Sequence, residues 1–148
     1  MSIWYRAHQT KHMNMTFSGE GGMFVAGRWN NKGQKVIYCS QSISLCTLEW
    51  LSHHGLSVSG FSYNKYSIEI NDALIKSFKI KDLPKNWNQS PAIQETRDFA
   101  EKHLFNQTKY IALAVPSVVI PEEYNLVINP QHPAYVLICK TIKKNRCF

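Results

Sequence analysis

Apolar and polar side chains alternate with a period of two over residues 65–70, where Tyr66, Ile68 and Ile70 are interleaved with Ser67 and Glu69; this is the pattern of a half-buried strand. Residues 3–7 predict an earlier strand. Residues 35–39, β-branched and aromatic after the Asn31-Lys32-Gly33 turn signal, predict a second, and the two are expected to pair as a hairpin. Residues 110–115, 126–128 and 135–142 are further apolar, strand-like runs, bounded by Pro116, Pro130 and Pro133. A helical period appears twice. Residues 42–54 predict a helix with Ser40 or Ser42 as N-cap and Gly55 as the stop, and residues 91–105 predict another with Ile93, Ala100 and Leu104 on one face. Strands outnumber helices without alternating with them. The expected fold class is therefore α+β, a compact mixed or antiparallel β core with a few flanking helices, in a single domain spanning residues 1–148.

Composition narrows this reading. The 148 residues, 44% of them hydrophobic, supply a core of ordinary size and exclude general disorder. No run reaches the roughly 18 apolar residues of a membrane span. Met1–Arg6 lacks the basic start and apolar run of a secretory signal, so a cytoplasmic location and no membrane partner are expected. The net charge of +7 favours an anionic partner. Its one dense cluster, Lys140, Lys143, Lys144 and Arg146, reads as a solvated chain end. Cys39, Cys46, Cys139 and Cys147 have no zinc spacing and are expected to be reduced, and His8 and His12 lack a third ligand, so no metal site is predicted.

Candidate chemistry gathers at four places. On the predicted 42–54 helix, at about 100° per residue, Leu45 falls about 40° to one side of Glu49 and Cys46 about 60° to the other. A carboxylate in an apolar arc needs a cation, a ligand or a proton. His53, four residues on, shares its face. Arg28, in the segment Gly27-Arg28-Trp29-Asn30, is the natural counter-charge. The Gly19-Glu20-Gly21-Gly22 cluster does not follow a strand and open a helix as a dinucleotide fingerprint does, and it reads as a flexible loop or a phosphate cradle. Ser117 ends an apolar run without a Gly-x-Ser-x-Gly elbow and is expected to hydrogen-bond there, while Asn129 before Pro130 caps a turn that also holds His132.

Taken in order, Gly27-Arg28-Trp29-Asn30, Val36-Ile37-Tyr38-Cys39-Ser40, Leu48-Glu49-Trp50-Leu51-Ser52-His53, Val115-Pro116-Ser117 and the segment Asn125 to Pro133 resemble the RES-domain family. The likeness extends from Arg6 to about Ile138. It implies a fold similar to ADP-ribosyltransferases and a bacterial toxin that destroys NAD⁺ by phosphorolysis or hydrolysis, silenced by an Xre-type antitoxin. Nucleic acid would then be met only through that antitoxin, and self-association is compatible with the resemblance. Arg28, Glu49 and Ser117 match the family's named arginine, glutamate and serine as catalytic residues. Arg6, Tyr38, His53 and Asn129 would contact NAD⁺, which is substrate rather than cofactor, with inorganic phosphate as a second substrate in the phosphorolytic case. Glu49 would stabilise an oxocarbenium-like centre, Arg6 and Arg28 the pyrophosphate, and Tyr38 and Ser117 the nicotinamide ring and its amide or a phosphate oxygen. Two rivals stand beside this: transfer of ADP-ribose to a macromolecule, and a basic nucleic-acid-binding module using Trp4, Tyr5, Trp29 and Tyr38 as stacking platforms.

Overall fold

The computed structural model describes residues 1–9, 15–55 and 63–145. His12, Arg146 and Cys147 lie outside them. Among the described residues the strands β1 (Ser2–Gln9), β2 (Ile37–Ser40), β3 (Tyr63–Ile70), β4 (Ile75–Ser77), β5 (Ala112–Pro116), β6 (Tyr124–Ile128) and β7 (Lys143–Asn145) form one sheet in the order β4-β5-β6-β2-β1-β3-β7. All its pairings are antiparallel except β4 with β5. The helices are α1 (Gly21–Phe24), α2 (Ile43–His54), α3 (Gln94–Ala100) and α4 (Tyr135–Cys139). The class is α+β, as the pattern predicts.

β5 is buried along its whole length because both of its faces are covered. Ala112 and Ala114 join one apolar cluster with Ile68, Leu126, Tyr135 and Ile138, and Leu113 and Val115 join the other with Trp29, Ala100 and Leu104. Alternation on β3 is as expected: Asn64, Tyr66, Ile68 and Ile70 are buried and the residues between them partly exposed.

Between the two halves of the sheet the ladder is thin. β1 pairs with β3 over eight residues but meets β2 only at Tyr5 opposite Ser40. The expected hairpin is thus reduced to one paired position. Beyond it the strands part, and the Tyr38 carbonyl accepts Nη1 of Arg6 at 2.9 Å while Nε of Arg6 donates to the Thr16 carbonyl at 2.7 Å. A guanidinium here does what a ladder amide does elsewhere, because a buried carbonyl needs a donor. α2 packs against both β1 and β2, across this parting.

Three expected elements differ. Residues 135–142, read as a strand, contain the helix α4, since Tyr135 and Ile138 are buried while Val136 and Leu137 are 70% and 65% exposed. That is a spacing of three, which an apolar run rich in Val and Ile conceals from a two-state reading. The second helix begins later than expected, at Gln94, and its end, Glu101–Phe105, widens into a π turn. The basic tail is paired rather than free at Lys143–Asn145, which adds β7 to the β3 edge.

Candidate active site

α2 starts and stops as its sequence dictates. The Ser42 hydroxyl accepts the Leu45 amide at 3.0 Å, and Gly55, at φ 79°, donates its amide to the Leu51 carbonyl. Leu45, Cys46 and Trp50 are buried, whereas Leu48 is 42% exposed. Glu49 is partly buried and lines two adjoining cavities of about 940 and 390 Å³. Arg6, His8, Tyr38, His53 and Asn125 line both as well.

One oxygen of Glu49 is tied down from below. Oε1 accepts the Ser117 hydroxyl and the Asn125 side-chain amide, each at 2.6 Å. Ser117 has no exposed surface, and its Oγ also accepts the amides of Val119 at 3.0 Å and Ile120 at 3.1 Å. Its hydrogen and both lone pairs are therefore spent. The expected contact of Ser117 with nicotinamide or phosphate is corrected: this serine stands behind the carboxylate and orients it.

Arg28 enters the larger cavity from the loop after α1. Its Nη1 donates to the carbonyls of Trp87 and Gln89, both at 2.8 Å, and its other donors make no hydrogen bond within the described residues. Burial lowers its pKa, while the Glu49 carboxylate pulls it back upward and Arg97 depresses it further. Arg97 lines the same cavity and donates from Nε to the Gly27 carbonyl at 2.8 Å. In the sequence Arg97 is one polar residue on an amphipathic helix and carries no local mark of a site.

The loop carrying Arg28 is built around Asn30, which is 2% exposed. Its Oδ1 accepts the Gly27 amide at 2.9 Å and the Tyr38 hydroxyl at 2.6 Å, and its Nδ2 donates to the Val25 and Asn31 carbonyls. Tyr38 lines the cavities, but burial raises its pKa and its hydroxyl is fully engaged, so it remains protonated. In the glycine cluster, whose Gly21 and Gly22 open α1, Gly19 and Gly22 are closely packed while Gly21 faces open space. A Cβ on Gly22 would stand 2.0 Å from the Gln34 carbonyl oxygen. Gly22→Ala is expected to cost about 1 to 3 kcal/mol through overpacking against backbone, and an unchanged urea midpoint would contradict this packing.

The remaining expected residues divide. His53 is exposed at the cavity rim. Arg6 lines both cavities, although two of its donors brace the backbone; burial lowers its pKa. Asn129, expected to contact NAD⁺, lines neither cavity and is corrected to a structural role, its Oδ1 accepting the Gln131 amide at 3.0 Å as a turn cap. Trp4 and Trp29 are buried in the core, so they offer no stacking platform for bases. Cys39 and Cys46, beside Arg6, have their thiols pushed up to about 12 by burial, and neither is a nucleophile near neutral pH.

The RES domain family model matches residues 3–147. A protein called Toxin Res from Yersinia enterocolitica is 35% identical over 131 residues, 88% of this chain and 86% of its own. The Prs ADP-ribosylating toxin of Sphingobium sp. is 36% identical over 121 residues, 78% of this chain and 73% of its own. Among solved structures, a chain of the M. tuberculosis MbcT-MbcA toxin-antitoxin complex shares the fold, with a TM-score of 0.68 at 16% identity over 98% of this chain and 81% of that one.

Proposed function

The chain belongs to the RES domain family, and on that premise we propose that it is a toxin that cleaves the nicotinamide–ribose bond of NAD⁺. The observation that carries this reading is the Glu49 carboxylate, held through one oxygen at the meeting of two cavities, with the Arg28 guanidinium near enough to feel its charge. As the bond breaks, its electron pair passes to the nicotinamide nitrogen and positive charge develops at the ribose carbon. A fixed anion beside that carbon lowers the barrier. An oxygen of phosphate or water then bonds to the carbon, and the proton it carries is released to solvent or buffer.

Arg28 and Arg97 supply positive charge where the pyrophosphate would lie. Guanidinium groups match phosphate oxygens well, and Arg28 has donors to spare. Arg28→Ala is expected to weaken NAD⁺ binding by about 1.5 to 3 kcal/mol, the cost of a lost charge-assisted hydrogen bond. An unchanged dissociation constant by calorimetry would remove Arg28 from the phosphate site.

A second reading, transfer of ADP-ribose to a protein, is favoured by the name of the Sphingobium relative. Proton NMR of NAD⁺ with purified protein separates the readings. Release of nicotinamide that requires phosphate identifies a phosphorylase, and release without it a hydrolase. Release only when a protein acceptor is present, with a matching gain of mass on that acceptor, identifies a transferase. No release under any of these conditions overturns the proposal. An antitoxin partner, of Xre type by the resemblance, and action in the bacterial cytoplasm complete the proposal; the complex in which the M. tuberculosis neighbour was solved supports the partner.

A further inference from the structure

We infer that Asn125, anchored by Ser40, is a positioning residue that divides the Glu49 carboxylate into a held oxygen and a working oxygen. The inference rests on the NAD⁺ reading above for the work that the second oxygen does. The arrangement itself is independent of it.

Asn125 and Ser40 stand opposite each other in the β2–β6 register, so both side chains lie on one face of the sheet, beneath the residues of α2. Ser40 is 4% exposed and donates its hydroxyl to Oδ1 of Asn125 at 2.7 Å. Nδ2 of Asn125 donates to Oε1 of Glu49 at 2.6 Å. An asparagine amide is nearly symmetric in shape and can present either end to a neighbour. With Oδ1 taking the Ser40 hydrogen, the amide nitrogen faces Glu49, and the carboxylate, which can only accept, holds it in that sense. The flipped amide would aim a carbonyl at a carboxylate, two acceptors with no hydrogen between them.

The consequence for Glu49 is an inequality between its oxygens. Oε1 receives two donors, from Ser117 and Asn125, which fill its two lone-pair directions. Oε2 receives none from the described residues. A substrate in the cavity therefore meets Oε2. Both donors to Oε1 are neutral, so they fix the carboxylate without cancelling its charge, and that charge stays available to a cationic centre. Ser117 comes from the end of β5 and Asn125 from β6, so the carboxylate is referenced to the sheet from two sides and cannot rotate about its last torsion without losing both.

The test uses the full chain and two kinds of readout. With active wild type, Asn125→Ala is expected to lower kcat for nicotinamide release about 10- to 100-fold through loss of orientation, with KM within about threefold. Ser40→Ala, which leaves Oδ1 of Asn125 without its donor and loosens the amide, should lower kcat by about 3- to 10-fold in the same pattern. Asn125→Asp places a second carboxylate against Glu49, and the acid limb of the kcat profile should move up by about one pH unit or more because the pair shares a proton. That shift reports that position 125 faces the Glu49 carboxylate. If Asn125→Ala does not fold, Ser40→Ala and Asn125→Asp carry the same test.

The second readout needs no activity. In a ¹⁵N-correlated proton spectrum the Asn125 side-chain amide, assigned by its loss in Asn125→Ala or Asn125→Asp, should shift as the carboxylate titrates, and Glu49→Gln should abolish that pH response. An amide indifferent to both overturns the inference, as does wild-type kcat in the Asn125 and Ser40 variants of an active enzyme. A responsive amide in a protein that releases no nicotinamide under any condition upholds the division of the carboxylate and overturns only the NAD⁺ reading.

Discussion

Glu49→Gln is expected to slow NAD⁺ cleavage by about a thousandfold or more, the scale of a lost electrostatic contact made to a developing charge. The fold should survive. Glutamine keeps a side-chain oxygen in the position of Oε1, so the Ser117 hydroxyl and the Asn125 amide, each at 2.6 Å from that atom, retain an acceptor. What disappears is the negative charge that faces the cavity. NAD⁺ binding should change little, because the ground-state substrate draws on the arginines, whereas the charge at the ribose carbon appears only as the bond breaks. Proton NMR of nicotinamide release, beside calorimetric binding and a thermal melt, checks the three parts together. A folded variant that cleaves NAD⁺ at the wild-type rate would remove Glu49 from the chemistry.

Ser117→Ala should produce a different signature, a loss of stability together with a loss of activity. The residue has no exposed surface, and its oxygen is the acceptor for the Val119 and Ile120 amides. Alanine removes the acceptor of both amides, at a cost of about 1 to 3 kcal/mol for the two hydrogen bonds. It also halves the support of Oε1, so kcat should fall even at temperatures where the variant is fully folded. KM should stay near the wild-type value, since Ser117 does not line either cavity. Urea unfolding and steady-state kinetics on the folded variant check both halves. A variant as stable as the wild type but with a greatly raised KM would mean that the hydroxyl meets the substrate after all.

Much of the frame around this site was legible along the chain. Ser42 and Gly55 bound the α2 helix through interactions with residues three or four positions away, and the alternation in β3 reports burial because neighbouring side chains in a strand point to opposite faces. Glu49 stood out as a carboxylate among apolar neighbours on a helix wheel, and Arg28 as a cation in a glycine-flanked turn. Where local pattern and tertiary packing disagreed, packing prevailed. The Val- and Ile-rich segment at α4 turns helical because Tyr135 and Ile138 reach the same core cluster and the Tyr135 hydroxyl donates to the Phe17 carbonyl, 118 residues away in sequence.

Local signals along the chain thus fix the elements they bound, the position of the lone carboxylate and that of Arg28. What surrounds them comes from contacts between distant segments. Ser117 and Asn125 lie 68 and 76 residues from Glu49, and Ser40 lies 85 from Asn125. Nothing in the spacing of these residues shows that they meet. Strand register brings Ser40 opposite Asn125 and Asn125 opposite Val115, two residues before Ser117, and a one-residue slip would turn those side chains to the other face. The roles of Ser117 as a support and of Arg97 as a cavity cation follow from that register and from the packing of α3, which are properties of the assembled sheet and not of any segment within it.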